Sequence, residues 1–169
     1  MPESPSVKTF ARQKWLLLAV TCCALAAQAQ GPADDPDWKE TEVPAPPKFD
    51  PRQRVSIEMP PYVSTKFGID PATLVVTPDG IVRYVMVAVS PSGTVNAFYE
   101  GIRCATGEVK SYARANDSGV WTAIKAPEWR RLNDNQPSRH ALALAQQGAC
   151  EGNTSSSSAA DILRKLKSK

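Results

Sequence analysis

Histidine is the scarcest functional side chain in this sequence: His140 is the only one in 169 residues. That excludes the paired histidines of a zinc protease and leaves any metal site short of ligands. No P-loop, dinucleotide glycine fingerprint or glycine–serine–glycine nucleophile elbow is present, so no cofactor is implied and no catalytic residue is marked. A long apolar run is lacking as well. The stretch Trp15–Ala27 falls short of the about 20 residues that span a bilayer. Nor is there a strong excess of one charge, since 20 Lys and Arg stand against 17 Asp and Glu.

Proline, by contrast, is plentiful at 15 residues, which argues against a helix-dominated fold because proline removes a donor and breaks helix interiors. With 42% hydrophobic and 22% charged residues, the chain can bury a core of single-domain size.

Residues 1–29 read as an export leader. Lys8, Arg12 and Lys14 precede the uncharged Trp15–Ala27, and Ala27-Gln28-Ala29 supplies the small residues of a cleavage site. Cleavage is expected between Ala29 and Gln30. A second reading is a lipid anchor on Cys22 or Cys23, although neither cysteine is preceded by the usual Leu and small residue. Removing the leader takes away three bases and one acid, so the formal charge falls from +3 to +1. The mature chain therefore offers no charge-based case for nucleic acid, and none for a transmembrane span after cleavage. A periplasmic or secreted location follows.

Residues 30–50 form an acidic, proline-rich lead-in, in which Trp38 is the side chain expected to dock. The pattern then becomes that of an α+β domain with an antiparallel β-sheet meander. Arg54–Met59 alternates, and Tyr62–Ile69 and Thr73–Thr77 read as two further strands. Turn signals at Pro78–Gly80, Ser90–Gly93 and Asn116–Gly119 separate the remaining strands. One or two short C-terminal helices are expected to cover one face. The first lies in Pro137–Gly148, where a strand remains the alternative. The second follows a serine-rich tether within 152–169, where Ala159, Ile162, Leu163 and Leu166 share a helical face behind Ser158. The compact core is expected over about 51–151.

The segment Asp79–Cys104, "DGIVRYVMVAVSPSGTVNAFYEGIRC", mixes Arg83, Tyr99, Glu100 and Arg103 with aliphatic residues. A four-residue loop at Ser90–Gly93 predicts Arg83 opposite Glu100 and Tyr84 opposite Tyr99. Arg83 and Glu100 then read as a cross-strand ion pair, with a ligand-binding patch as the alternative. Arg83, Tyr99, Glu100, Arg103 and His140 together form the candidate polar patch. His140 reads first as a structural histidine and second as a general base. After cleavage only Cys104 and Cys150 remain. An even count in an oxidising compartment predicts a disulfide between them, pinning the C-terminal cover to the sheet.

"VRY", "SPSG" and "YEGIRC" occur in order within Asp79–Cys104, with "WKE" at Trp38–Glu40 before them. Tyr112-Ala113, Trp129-Arg130, Asn135, His140 and Cys150 follow. This pattern strongly resembles the cryptic neisserial protein-like (CNP-like) family of exported bacterial proteins, over roughly residues 37–166. The resemblance implies an envelope protein without an assigned catalytic activity, and it supplies no catalytic residues. Two functions are compatible with these observations. One is a non-enzymatic module that binds an envelope protein or a cell-wall component. The other is a small periplasmic hydrolase using Glu100 and His140, with Arg83 and Tyr99 around a substrate.

The leader reading predicts that the exported protein begins at Gln30. Mass spectrometry of the periplasmic fraction checks this, and an intact Met1 or a lipid mass on Cys22 or Cys23 refutes it.

Overall fold

The computed structural model describes residues 35–168. The leader, the Ala29–Gln30 junction and Cys22 and Cys23 lie outside the described residues. In chain order the elements are β1 (Val55–Ser56), β2 (Lys66–Ile69), β3 (Val75–Val76), β4 (Ile81–Val89), β5 (Val95–Arg103) and β6 (Glu108–Ala115). They continue with β7 (Trp121–Ala123), β8 (Arg130–Arg131), α1 (His140–Leu144), β9 (Cys150–Glu151), β10 (Thr154–Ser155) and α2 (Ala159–Lys167). The main sheet runs β1-β2-β4-β5-β6-β7, with β3 also on β4 and β8 also on β6, every pair antiparallel. This is the α+β meander that the turn spacing predicts.

The register of β4 and β5 differs from the expected one by a single residue. Ser90 N–H donates to Thr94 O at 3.0 Å and Gly93 N–H to Ser90 O at 2.9 Å, with Gly93 at φ +89°. The loop is therefore Pro91–Gly93, a turn closed by a left-handed glycine, which is the usual three-residue hairpin connection. The Ser90–Thr94 pair that this creates shifts every later pair. Val89 faces Val95, Tyr84 faces Glu100, Val85 faces Tyr99 and Arg83 faces Gly101. A one-residue slip turns a strand's side chains to the other face. The expected Arg83–Glu100 and Tyr84–Tyr99 pairs do not form, because Arg83 and Glu100 point to opposite sides of the sheet.

Both faces are covered. On the first, Val82, Tyr84, Met86 and Ile102 pack with Leu144, Ala149, Ile162 and Leu166 of the C-terminal segments. Each fully buried aliphatic side chain here contributes about 1.5–3 kcal/mol relative to exposure. On the second, Val85, Val87, Ala97, Tyr99 and Tyr112 pack under Val43 and Phe49. The C-terminal helices thus cover the Tyr84 face, and the acidic lead-in covers the Arg83 face. The lead-in is a strap rather than a linker. The Trp121 indole donates to Pro47 O at 3.0 Å and the Trp38 indole to Asp79 O at 2.9 Å.

Two further expectations change at the C-terminus. The serine-rich segment is not a tether, since Thr154–Ser155 pairs with Cys150–Glu151, and the buried Ser156 hydroxyl donates to Gly148 O at 2.5 Å. Helix α1 is short and widens into a π turn over Ala145–Ala149, where Gly148 takes φ +145°. The cap on α2 is as expected, with Ser158 accepting from Asp161 N–H at 3.2 Å.

Cys104 at the start of the β5–β6 turn and Cys150 at the start of β9 form a disulfide, with a Cα–Cα distance of 5.6 Å and a sequence separation of 46. For a loop of this size the chain-entropy model gives about 4 kcal/mol. Thiol labelling under denaturing, non-reducing conditions should therefore modify neither Cys104 nor Cys150. Cys104→Ser with Cys150→Ser should lower unfolding stability by about 2–5 kcal/mol in urea titrations.

Candidate functional site

The buried carboxylate of Glu100 is held by groups from three parts of the chain. Strand alternation puts Phe98, Glu100 and Ile102 of β5 on the Tyr84 face. Strand β6 carries a bulge, so that Tyr99 pairs with Ala113 while Glu100 pairs with Ser111. The extra residue, Tyr112, goes to the opposite face, and Ser111 and Arg114 come to share the Glu100 face although they are three residues apart. His140, the first residue of α1, lies between the nearly parallel rings of Phe67 and Phe98, at centroid distances of 5.2 and 5.6 Å.

His140 Nε2 bonds Glu100 Oε2 at 2.8 Å, the Tyr84 hydroxyl donates to the same oxygen at 3.1 Å, and the Ser111 hydroxyl donates to Oε1 at 2.8 Å. Ser138 Oγ lies 2.6 Å from His140 Nδ1. Glu100 and His140 are 3% and 7% exposed, so neither is neutralised by bulk water. Burial is the largest influence on Glu100 and pushes its carboxyl up. The His140 charge and the bonds from His140, Ser111 and Tyr84 outweigh it and hold the group below its ordinary value. For His140 burial acts downward, and the Glu100 carboxylate overrides it to raise the imidazole. The Tyr84 hydroxyl is pushed well up, first by burial and then by Glu100. Each partner therefore favours the charged form of the other, and both are hydrogen-bonded.

A cleft of about 410 Å³ opens over this pair, walled by Ile124, Pro127 and Pro137 and carrying Arg114, Arg130 and Glu128. A wider depression of about 820 Å³ continues along β5–β7 and shares Phe98 and Arg114 with it. Among the described residues no group of three or more His, Cys, Asp or Glu is placed to hold a metal.

The predicted polar patch divides between the two faces. Glu100 and His140 meet. Arg83, Tyr99 and Arg103 lie on the strap side, which removes them from any reaction centred on Glu100. Arg83 is 4% exposed and donates to Thr41 O at 3.0 Å and Glu42 O at 3.4 Å, with Glu40 and Asp79 carboxylates at 3.7 and 3.8 Å. Glu40 in turn accepts from Lys110 at 2.7 Å and from the Tyr112 hydroxyl at 2.6 Å. Burial raises the Asp79 carboxyl, but bonds from Thr77 and Thr41 and the Arg83 charge carry it below its ordinary value. The Arg103 guanidinium stacks on Trp38, 3.6 Å from the ring centroid. Tyr99 joins an aromatic group with Tyr112 and Trp121. The strap side is thus a polar seam, with a smaller hollow of about 200 Å³ beside Arg83 and Tyr99.

Sequence reasoning missed Tyr84, Ser111 and Ser138 as partners of the buried pair, and Glu40 and Asp79 as partners of Arg83. The Tyr84–Glu100 contact follows directly once the hairpin register is right. Ser138 had a local signal, two residues before the only histidine. Ser111 had none, because its place depends on the bulge.

A family model described as the CNP1-like family matches residues 33–167. No curated protein and no solved structure matches the chain.

The Glu100–His140 pair sets a pH dependence. Its contribution through His140 is complete below the ordinary imidazole value of 6.5 and is lost as pH rises through the higher folded value. Its contribution through Glu100 is complete above the ordinary value of 4.5 and is lost as pH falls through the lower folded one. Urea titrations should show Glu100→Gln less stable than the parent by about 3 kcal/mol at pH near 5.5, the cost of breaking a buried pair, with the gap narrowing toward pH 9. A gap independent of pH would contradict the ionic description.

Proposed function

The chain belongs to the CNP1-like family, and from that membership and the site geometry we propose that it is an exported, periplasmic binding module without catalytic activity. Its ligand site is the cleft over Glu100 and His140. The observation that carries this reading is saturation. Glu100 accepts three hydrogen bonds and both His140 ring nitrogens are engaged. With Nε2 on Glu100, the one proton within reach of His140 as a base is that of the Ser138 hydroxyl at Nδ1. Here the only histidine of the chain and the carboxylate beneath the cleft neutralise each other and form a rigid floor. What remains accessible is a mixture of apolar, hydroxyl and guanidinium groups around a concave surface, the usual composition of a binding site. The partner is an envelope protein or a cell-wall component, in keeping with the export leader.

One observation favours the second reading, a small periplasmic hydrolase. Ser138, His140 and Glu100 are connected in the order hydroxyl, imidazole, carboxylate, at 2.6 and 2.8 Å, which is the order of an activated nucleophile. The raised imidazole opposes it. An imidazolium donates from both nitrogens, so the Ser138 hydroxyl accepts a proton bond instead of giving one up.

Two measurements separate the readings. A fluorophosphonate probe should leave Ser138 unmodified. The immobilised protein should retain an envelope component that Ala126→Trp, which fills the cleft from an exposed position, does not retain. A probe adduct on Ser138, or an esterase activity abolished by Ser138→Ala, overturns the proposal in favour of the hydrolase.

A further inference from the structure

We propose that the groove along β5, β6 and β7 binds a carboxylate-bearing peptide, with Arg114 and Arg130 as its anchors. This rests on the binding-module reading and gives that site its ligand class.

The two arginines are exposed cations of the cleft lining, unlike the buried Arg83. Arg83 is enclosed and held by four chain groups, whereas among the described residues the Arg114 and Arg130 guanidinium groups have no hydrogen-bond, ion-pair or ring partner. Both line the cleft, and Arg114 also lines the depression beyond it. Arg114 therefore stands where the two hollows meet. It reaches that place because of the β6 bulge, which interrupts the ladder between Tyr99 and Glu100. Without the extra residue, strict alternation would put Ser111 and Arg114 on opposite faces.

The charge balance of the groove selects an anion. The Glu100 carboxylate is compensated by His140 at 2.8 Å, so Glu128 is the one uncommitted acid against two guanidinium groups in the cleft lining. A planar guanidinium presents paired donors that match a carboxylate in geometry as well as charge. Two such groups are too few for a polyanion such as nucleic acid, whose binding needs many clustered cations. The remaining surface suits peptide: the half-buried Phe98 ring offers an apolar contact and the Ser111 and Ser138 hydroxyls offer polar ones. The two connected hollows, about 410 and 820 Å³, give room for an extended segment beyond a single ion.

The test is isothermal titration of the exported, oxidised chain with the blocked tetrapeptide acetyl-Ala-Phe-Glu-Ala-amide and its Gln counterpart. The Glu peptide should bind, and the Gln peptide should bind about tenfold more weakly or worse, the equivalent of about 1.4 kcal/mol. Arg114→Gln and Arg130→Gln should each cost about tenfold in affinity for the Glu peptide, on the scale of one charged hydrogen-bonded contact. Arg131→Gln, exposed on the same short strand and outside the groove, should cost nothing. Added salt should weaken the Glu peptide only. Equal binding of the two peptides overturns the carboxylate assignment and leaves the cleft as a site. Equal losses from Arg131→Gln and Arg114→Gln overturn the groove in favour of diffuse charge. Absence of binding by either peptide at millimolar concentration overturns the proposal, while the envelope-capture comparison still decides the broader reading.

Discussion

The backbone of Gly93 sets what the rest of the molecule can do. Its positive φ closes a three-residue turn and fixes the pairing of the two longest strands. Because side chains alternate along a strand, that pairing assigns Arg83 to one face and Glu100 to the other. Each buried charge then has to be compensated on its own side. An unpaired buried charge costs several kcal/mol, so neither face can tolerate a missing partner. The strap with Glu40 and Thr41 answers Arg83, and α1 with His140 answers Glu100.

The two answers differ in kind. On the strap side, Arg83, Glu40, Lys110, Asp79 and Tyr112 form a network of several charges threaded by backbone carbonyls. Gly101 is part of that seam. A Cβ there would lie 2.5 Å from the Tyr112 hydroxyl oxygen and 2.8 Å from Ile81 Cγ2, so only a glycine lets Tyr112 cross β5 and reach Glu40. On the helix side there is a single pair, its imidazole between two aromatic rings and hydroxyls completing its bonds. The first arrangement closes a surface. The second leaves a polar floor beneath an open cleft.

Much of this architecture was legible in the residues. Apolar alternation and turn chemistry located the meander strands, Ser158 located the start of α2, and the cysteine count located the disulfide. The docking of Trp38 was legible from its large surface in a polar segment. Three features were not. The hairpin register turned on one residue of loop length, and "SPSG" fits a four-residue loop as readily as a three-residue turn with a preceding pair. The β6 bulge has no local signature in "EVKSYARA", yet it decides which face Ser111 and Arg114 occupy. The strap reads as a linker by composition, since its prolines and acids show nothing of the buried arginine they come to cover. Five residues could be singled out as one patch from the sequence because chain proximity and polarity do not distinguish the two sides of a sheet.

The strap also bears on the order in which the molecule assembles. Its contacts join residues far apart in the chain, with separations of 70 and 72 for Glu40 to Lys110 and Tyr112 and 74 for Trp121 to Pro47. The meander hairpins join neighbours through short turns. Loop-closure entropy grows with the length closed, and contacts between distant residues slow folding. Moreover, the groups that the strap grips, the Arg83 guanidinium and the Tyr112 hydroxyl, come together only once β4, β5 and β6 are in register. The most N-terminal segment among the described residues is thus the one whose binding surface is completed late. During that interval the Arg83 face of the sheet, with Val85, Val87 and Ala97, lacks its cover.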